Sequence, residues 1–204
     1  MAAVEESSVA DTRRRVVADT IARIRRIEQT EGVNKASMEK IKAEMMGLAD
    51  RKDLFPESDF PYPDGDSVQV RYLVHEEPGD EFTLYMNSMK PGKTANPHDH
   101  SDSWAVVVAV EGEEVNKIWN VVQEDRAAGT ATLELAQEVV VKPGVGMAFL
   151  PYEVHSIAVV GKDPTMHLHL YRKSLESLTG RRGFNMERGI MYDFAAPGKT
   201  VGKA

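Results

Sequence analysis

Gly92-Lys93-Thr94-Ala95-Asn96-Pro97-His98-Asp99-His100 is the stretch on which the reading of this chain turns. Residues two apart in an extended strand point to one face. A strand over Pro97 to Trp104 therefore aims His98 and His100 together, and a third imidazole from a distant strand closes one face around a metal ion. His155 is the candidate for that third position. Three neutral nitrogens on one face leave the opposite positions open to other ligands, and imidazole suits iron, copper, zinc and nickel.

Outward from this point the sequence alternates strands and turns. The expected strands are Ser67 to His75, Glu81 to Lys90, Trp104 to Glu111, Glu114 to Gln123, Ala131 to Val141, Gly146 to Leu150, His155 to Val160 and Met166 to Lys173. Pro78-Gly79-Asp80, Pro91-Gly92-Lys93, Ala128-Gly129 and Pro143-Gly144 mark turns between them. Many short strands at this spacing predict a sandwich or small barrel.

The N-terminal quarter has a different period. Val16, Val17, Ile21, Ile24 and Ile27 recur at helical spacing from Asp11 to Gly32, after a start that reads as frayed over residues 1–10. Met38, Ile41, Met45 and Leu48 form a second stripe over Ala36 to Met46, with Asn34 or Ser37 as its start and Gly47 as its end. These apolar stripes need a partner, so both helices are expected on the outside of the barrel. The expected organisation is a helical segment over 1–50, a proline-rich connector over 51–66, a barrel over 67–180 and a C-terminal extension over 181–204, loose from Pro197.

Of the 204 residues, 42% are hydrophobic, enough for a real core, and the formal net charge is −7. That balance argues against a nucleic-acid or anionic-membrane partner. Arg13-Arg14-Arg15, Arg23 and Arg25-Arg26 read as a solvated helix face. The absence of cysteine removes disulfides, thiolate metal ligands and a thiol nucleophile. No apolar run approaches the roughly 20 residues of a membrane helix, and the first residues lack the pattern of a signal peptide. A cytoplasmic protein is the expectation; the sequence sets no oligomeric state.

The spacing Gly92-x5-His98-x-His100, with Gly112 twelve residues later, resembles the first motif of the cupins, which are mainly β, double-stranded β-helix (jelly-roll) barrels that hold a metal at their mouth. Pro143-Gly144 and Pro151-x3-His155 resemble the second motif, with Val159 where an Asn is usual. Ordinary cupins carry a Glu ligand four or five residues after the second histidine, where this chain has Trp104 and Ala105. A three-histidine site without a carboxylate resembles the thiol dioxygenase branch, cysteine dioxygenase and the bacterial 3-mercaptopropionate enzymes. Phe82-Thr83-Leu84 through His98-Asp99-His100-Ser101-Asp102-Ser103 resembles that family's core block. Arg71-Tyr72-Leu73-Val74 resembles its arginine segment, and His167-Leu168-His169-Leu170-Tyr171 its Ser-x-His-x-Tyr strand. The N-terminal helices are in keeping with the family.

The resemblance implies non-haem Fe(II) on His98, His100 and His155, a small thiol carboxylate and O2 as reactants, and a sulfinate product. It implies Arg71 as the carboxylate clamp, whose planar fork suits bidentate binding, with Tyr171 beside the metal. His169 and His167 follow on the same strand as catalytic candidates, and Trp104 is expected in the pocket wall with the substrate. Asp99 and Asp102 are expected to support the ligand loop. Arg181-Arg182 reads as a solvated pair, either of which is an alternative clamp, and His75 as an exposed strand end. His167 replaces the family Ser. Ala105 stands where some animal members cross-link a cysteine to the tyrosine, as in the bacterial enzymes, whereas Arg71 points toward cysteine; the substrate stays open between L-cysteine and 3-mercaptopropionate. Two other readings are a cupin lyase or hydrolase using the metal as a Lewis acid without O2, and a non-catalytic cupin that binds a small ligand.

Overall fold

The structure is a computed structural model that describes residues 8–79 and 81–195. Most of the stretch expected to be frayed, residues 1–7, lies outside the described residues, as do Asp80 and the tail from Pro197 to Ala204.

Two helices lead. Helix α1 runs Val9–Glu31, its first turn capped by the Ser8 hydroxyl, which accepts from the Asp11 amide at 3.1 Å, and its end turned by Gly32 at φ 68°. Helix α2 runs Lys35–Ala49 behind an Asn34–Ser37 capping box. It does not stop at Gly47 as expected. Burial of Leu48 and Ala49 carries it further. Nor is the arginine run simply solvated. Arg13 is buried and donates to the Leu54 carbonyl at 2.9 Å and to Asp59 at 2.7 Å, tying α1 to the connector and its short 3-10 turn, Lys52–Leu54.

Eleven strands follow among the described residues: β1 Gln69–Glu76, β2 Glu81–Met89, β3 Thr94–His98, β4 Ala105–Glu111, β5 Glu114–Asp125, β6 Thr130–Val141, β7 Met147–Phe149, β8 Val154–Ala158, β9 Thr165–Lys173, β10 Arg182–Asn185 and β11 Ile190–Asp193. They form a five-stranded sheet in the order β1-β2-β9-β4-β7 and a second, closed set in the order β10-β11-β6-β5-β8-β3. This is a cupin double-stranded β-helix with N-terminal helices. The segment expected to be a C-terminal extension supplies β10 and β11, so the barrel does not end at residue 180.

The five-stranded sheet has two unlike faces. Leu84, Met86, Val106, Val108, Leu168 and Leu170 pack in one cluster with Ile21, Ile24, Ile41 and Met45 of the helices. Their neighbours of opposite parity, Tyr85, Ala105, Val107, Ala109 and Tyr171, belong to a separate inner cluster. Strict alternation of side chains across a strand produces this division. Trp104 falls on the helical side. It is buried against Phe82, and its indole N–H donates to Glu28 of α1 at 2.9 Å. Arg172 joins the same carboxylate at 2.8 Å.

Candidate metal centre and cavity

His98 is the last residue of β3, paired with His155 of β8 on one side and with Gly183 of β10 on the other. The strand expected over Pro97 to Trp104 is displaced upstream, because the chain turns immediately after His98. Strand alternation therefore does not aim His100. The turn does. The buried Asp99 carboxylate accepts from the amides of Ser101 at 3.0 Å and Arg182 at 2.9 Å and from the Arg182 guanidinium at 2.6 Å. Ser101 sits at φ 52°, a conformation that costs a non-glycine residue energy and collects at functional sites. Asp102 lies outward, paired with Lys173.

The three imidazoles converge. Their ligand nitrogens lie within 4.8 Å of one another, and ring centroids are 5.5 Å apart for His98 and His100, 4.7 Å for His98 and His155, and 5.0 Å for His100 and His155. Burial keeps all three neutral: His98 is pushed down to about 4, and His100 and His155 well below the ordinary histidine value, further lowered by the neighbouring rings. Nδ1 of His98 lies 2.8 Å from the Asn96 carbonyl, and Nδ1 of His155 lies 3.4 Å from the Asn116 side-chain oxygen. Both acceptors place the ring proton on Nδ1 and leave Nε2 with a lone pair. His155 Nε2 is buried without a partner. A buried nitrogen lone pair with nothing to bind, beside two others, fits a first-row metal ion. No acidic residue belongs to this triad.

Beside it lies a cavity of about 140 Å3, lined in part by His98, His155, His169, Tyr171, Arg71 and Arg181. It also meets Lys93, Gln69, Asn87 and Phe194, and no Asp or Glu is among its lining residues. Arg71 reaches in from β1, over the Tyr85 ring at 5.4 Å, with one terminal nitrogen buried and unpartnered. It makes no ion pair with Glu76 or Glu77; the latter is engaged by Arg25 and His75. Glu176 stands nearby but is held by Tyr85 at 2.9 Å and Ser174 at 2.8 Å. His75 is half-buried, not an exposed strand end.

Tyr171 and His169 share the inner face of β9, with the phenol oxygen 3.3 Å from His169 Nδ1. Burial raises the Tyr171 hydroxyl and lowers His169, so both are neutral near neutral pH. Two expected residues lie away from the cavity. Trp104 faces the helices, because one residue before β4 it keeps the parity of the outward-facing Val106 and Val108. His167 is fully buried beyond His169, near Glu114.

Sequence reading gave Arg181 only as an alternative clamp and passed over Phe194, Gln69 and Asn87. Arg181 is buried rather than solvated. Its Nε donates to the Asp99 carbonyl at 3.1 Å, and another of its nitrogens is unpartnered. Arg182 is the one held by Asp99 and Glu124. Phe194 stacks on His98, ring centroids 4.6 Å apart at 25°. Glycine offered a signal for this return of the chain: a Cβ at Gly183 would come within 2.6 Å of the Tyr192 ring.

A family model described as cysteine dioxygenase type I matches residues 5–180. The chain belongs to that family. Cysteine dioxygenase type I membership and the buried triad together make this the candidate metal centre of a cupin enzyme. No curated protein matches the chain. Solved structures similar in shape include a Klebsiella pneumoniae protein with a double-stranded β-helix domain, at 16% identity and TM-score 0.46, covering 62% of this chain and 87% of that one. A Thermus thermophilus protein matches at 15% identity and TM-score 0.44, covering 58% and 96%. An oxalate oxidase in complex with glycolate matches at 19% identity and TM-score 0.42, covering 59% of each chain. Among the described residues no helix is long and apolar enough to cross a membrane.

Proposed function

We propose that the protein is an Fe(II) thiol dioxygenase that converts a small thiol carboxylate and O2 to the sulfinate, R–SH + O2 → R–SO2H. The observation that carries this reading is a cavity bordered by the metal triad and by cationic side chains, with no acid among its lining residues. His98, His100 and His155 would hold the iron, which would supply the redox chemistry for oxygen transfer to sulfur.

The residues of the chain do the rest. Arg71 takes the carboxylate through the guanidinium nitrogen that lacks a partner, and Arg181, also lining the cavity, adds a second positive charge. Tyr171 donates a hydrogen bond to the bound reactants, and His169 Nδ1 orients the phenol.

The charge pattern also bears on the choice of thiol. An ammonium group entering a cavity lined by Arg71, Lys93 and Arg181 meets like charge with no carboxylate to receive it. This favours 3-mercaptopropionate, which has no amine, over L-cysteine. Oxygen uptake by the iron-loaded protein against 3-mercaptopropionate, cysteine, cysteamine and mercaptosuccinate tests this. The expected order is 3-mercaptopropionate ahead of cysteine in kcat/KM, with cysteamine last because it lacks a carboxylate. Cysteamine turning over as well as the acids would remove the clamp from the account.

A further inference from the structure

A second cluster of metal-ligating side chains lies deeper in the barrel. Glu114 opens β5, and His167 and His169 follow one another on the inner face of β9; their candidate ligand atoms lie within 4.8 Å of one another, the same limit that the His98 triad meets. All three residues are buried, Glu114 and His167 completely. Glu114 Oε2, both ring nitrogens of His167 and His169 Nε2 have no hydrogen-bond partner. So many orphaned polar atoms in one small volume require an explanation, since buried polar groups are otherwise paired.

Two of the three ligands are held from behind, as metal ligands are. Asn116 donates to Glu114 Oε1 at 2.7 Å, leaving Oε2 free. Tyr171 engages His169 Nδ1 at 3.3 Å, leaving Nε2 free. The Gly112 carbonyl faces the His167 ring without completing a hydrogen bond. Gly112 itself, at φ 75°, has no room for a Cβ, which would lie 2.5 Å from the Pro164 carbonyl; this close approach fixes the start of β9 and so the depth of His167.

We propose that Glu114, His167 and His169 form a second metal site that takes a zinc-class divalent ion, separate from the His98–His100–His155 centre. Two neutral imidazoles and one carboxylate are a donor set suited to such an ion, with a fourth position left open. Ligands at about 2.1 Å in a tetrahedron stand roughly 3.4 Å apart. His167 Nδ1 and Glu114 Oε2 are 3.9 Å apart, so binding draws them together by a fraction of an ångström. Neutral histidine is already secured, since burial pushes His167 down to about 4. Glu114, raised by burial to about 7 against the pull of Asn116 and Lys93, gains a counter-charge at its unpartnered oxygen. Asn116 touches both sites, donating to Glu114 and facing His155 Nδ1 with its oxygen.

The test counts metal and needs no turnover, so its outcome is independent of the proposed reaction. Metal-free full-length protein is saturated with Zn2+, desalted and assayed for zinc by mass spectrometry. The wild type is expected to hold two equivalents, His98→Ala one, and His167→Leu and Glu114→Gln one each. A wild type holding a single equivalent that His98→Ala abolishes overturns the proposal, as do His167→Leu and Glu114→Gln proteins that both hold two. Because a buried substitution can prevent folding, the wild type is also crystallised with Zn2+. An anomalous peak at the zinc edge among Glu114, His167 and His169 is expected; density there with no anomalous signal, that of a water molecule, refutes it.

Discussion

The two faces of strand β9 divide the labour of the molecule. Met166, Leu168 and Leu170 point at the helices and hold the fold, while His167, His169 and Tyr171 point into the barrel, the last two against the cavity. The outer face gains stability from apolar area removed from water. The inner face does the opposite. It buries nitrogens and hydroxyls at a cost that only bound groups or paired atoms offset. Residues one position apart therefore answer to different physical demands, and substitutions on the two faces should separate into losses of stability and losses of function.

His155→Ala, on the inner wall, is the severest test of that division. It removes one of the three candidate metal ligands, so bound iron and oxygen uptake should both fall to background while the cooperative urea transition is retained. A variant that keeps full iron would break the comparison. Leu168→Ala should behave in reverse. Truncation of a fully buried leucine costs about 2–5 kcal/mol, read by urea denaturation, with kcat/KM per folded molecule unchanged. Arg71→Ala should raise KM by about 10- to 100-fold, the equivalent of one charged hydrogen bond of roughly 1.5–3 kcal/mol, with iron content unaltered. An unchanged KM would move the clamp to Arg181. The smallest effect is expected at Trp104→Phe, which forfeits the bond to Glu28 and costs about 1 kcal/mol in thermal or urea unfolding. Its KM should equal that of the wild type, because the indole lies on the helical face; a raised KM would put Trp104 back beside the substrate.

The same division explains what can be read from the sequence. Period-two and period-3.6 patterns reflect burial on one side of an element, so they predict both helices and eight of the strands close to where they lie. The histidine spacing identifies a triad that the structure gathers, although a turn organised by Asp99, not a strand, brings His100 to it. What escapes depends on parity and on chain return. Its aromatic bulk suggests Trp104 for the pocket wall, but one step of register puts it on the other face. Strands β10 and β11 carry mixed, half-exposed residues with no clear alternation, and only their long-range pairing brings Arg181 and Phe194 against the triad. The cluster around Glu114 is equally hidden, since Glu114 is more than fifty residues from its two histidines and looks like any charged strand end.

The central claim is oxygen insertion into a thiol at the three-histidine centre. Single-turnover reaction of the iron-loaded protein with 3-mercaptopropionate under 18O2, followed by mass spectrometry of the product, tests it most directly. The account predicts a sulfinate carrying both labelled atoms, formed by the wild type and absent with His155→Ala. An unlabelled product, or conversion that proceeds equally well without oxygen, would contradict it.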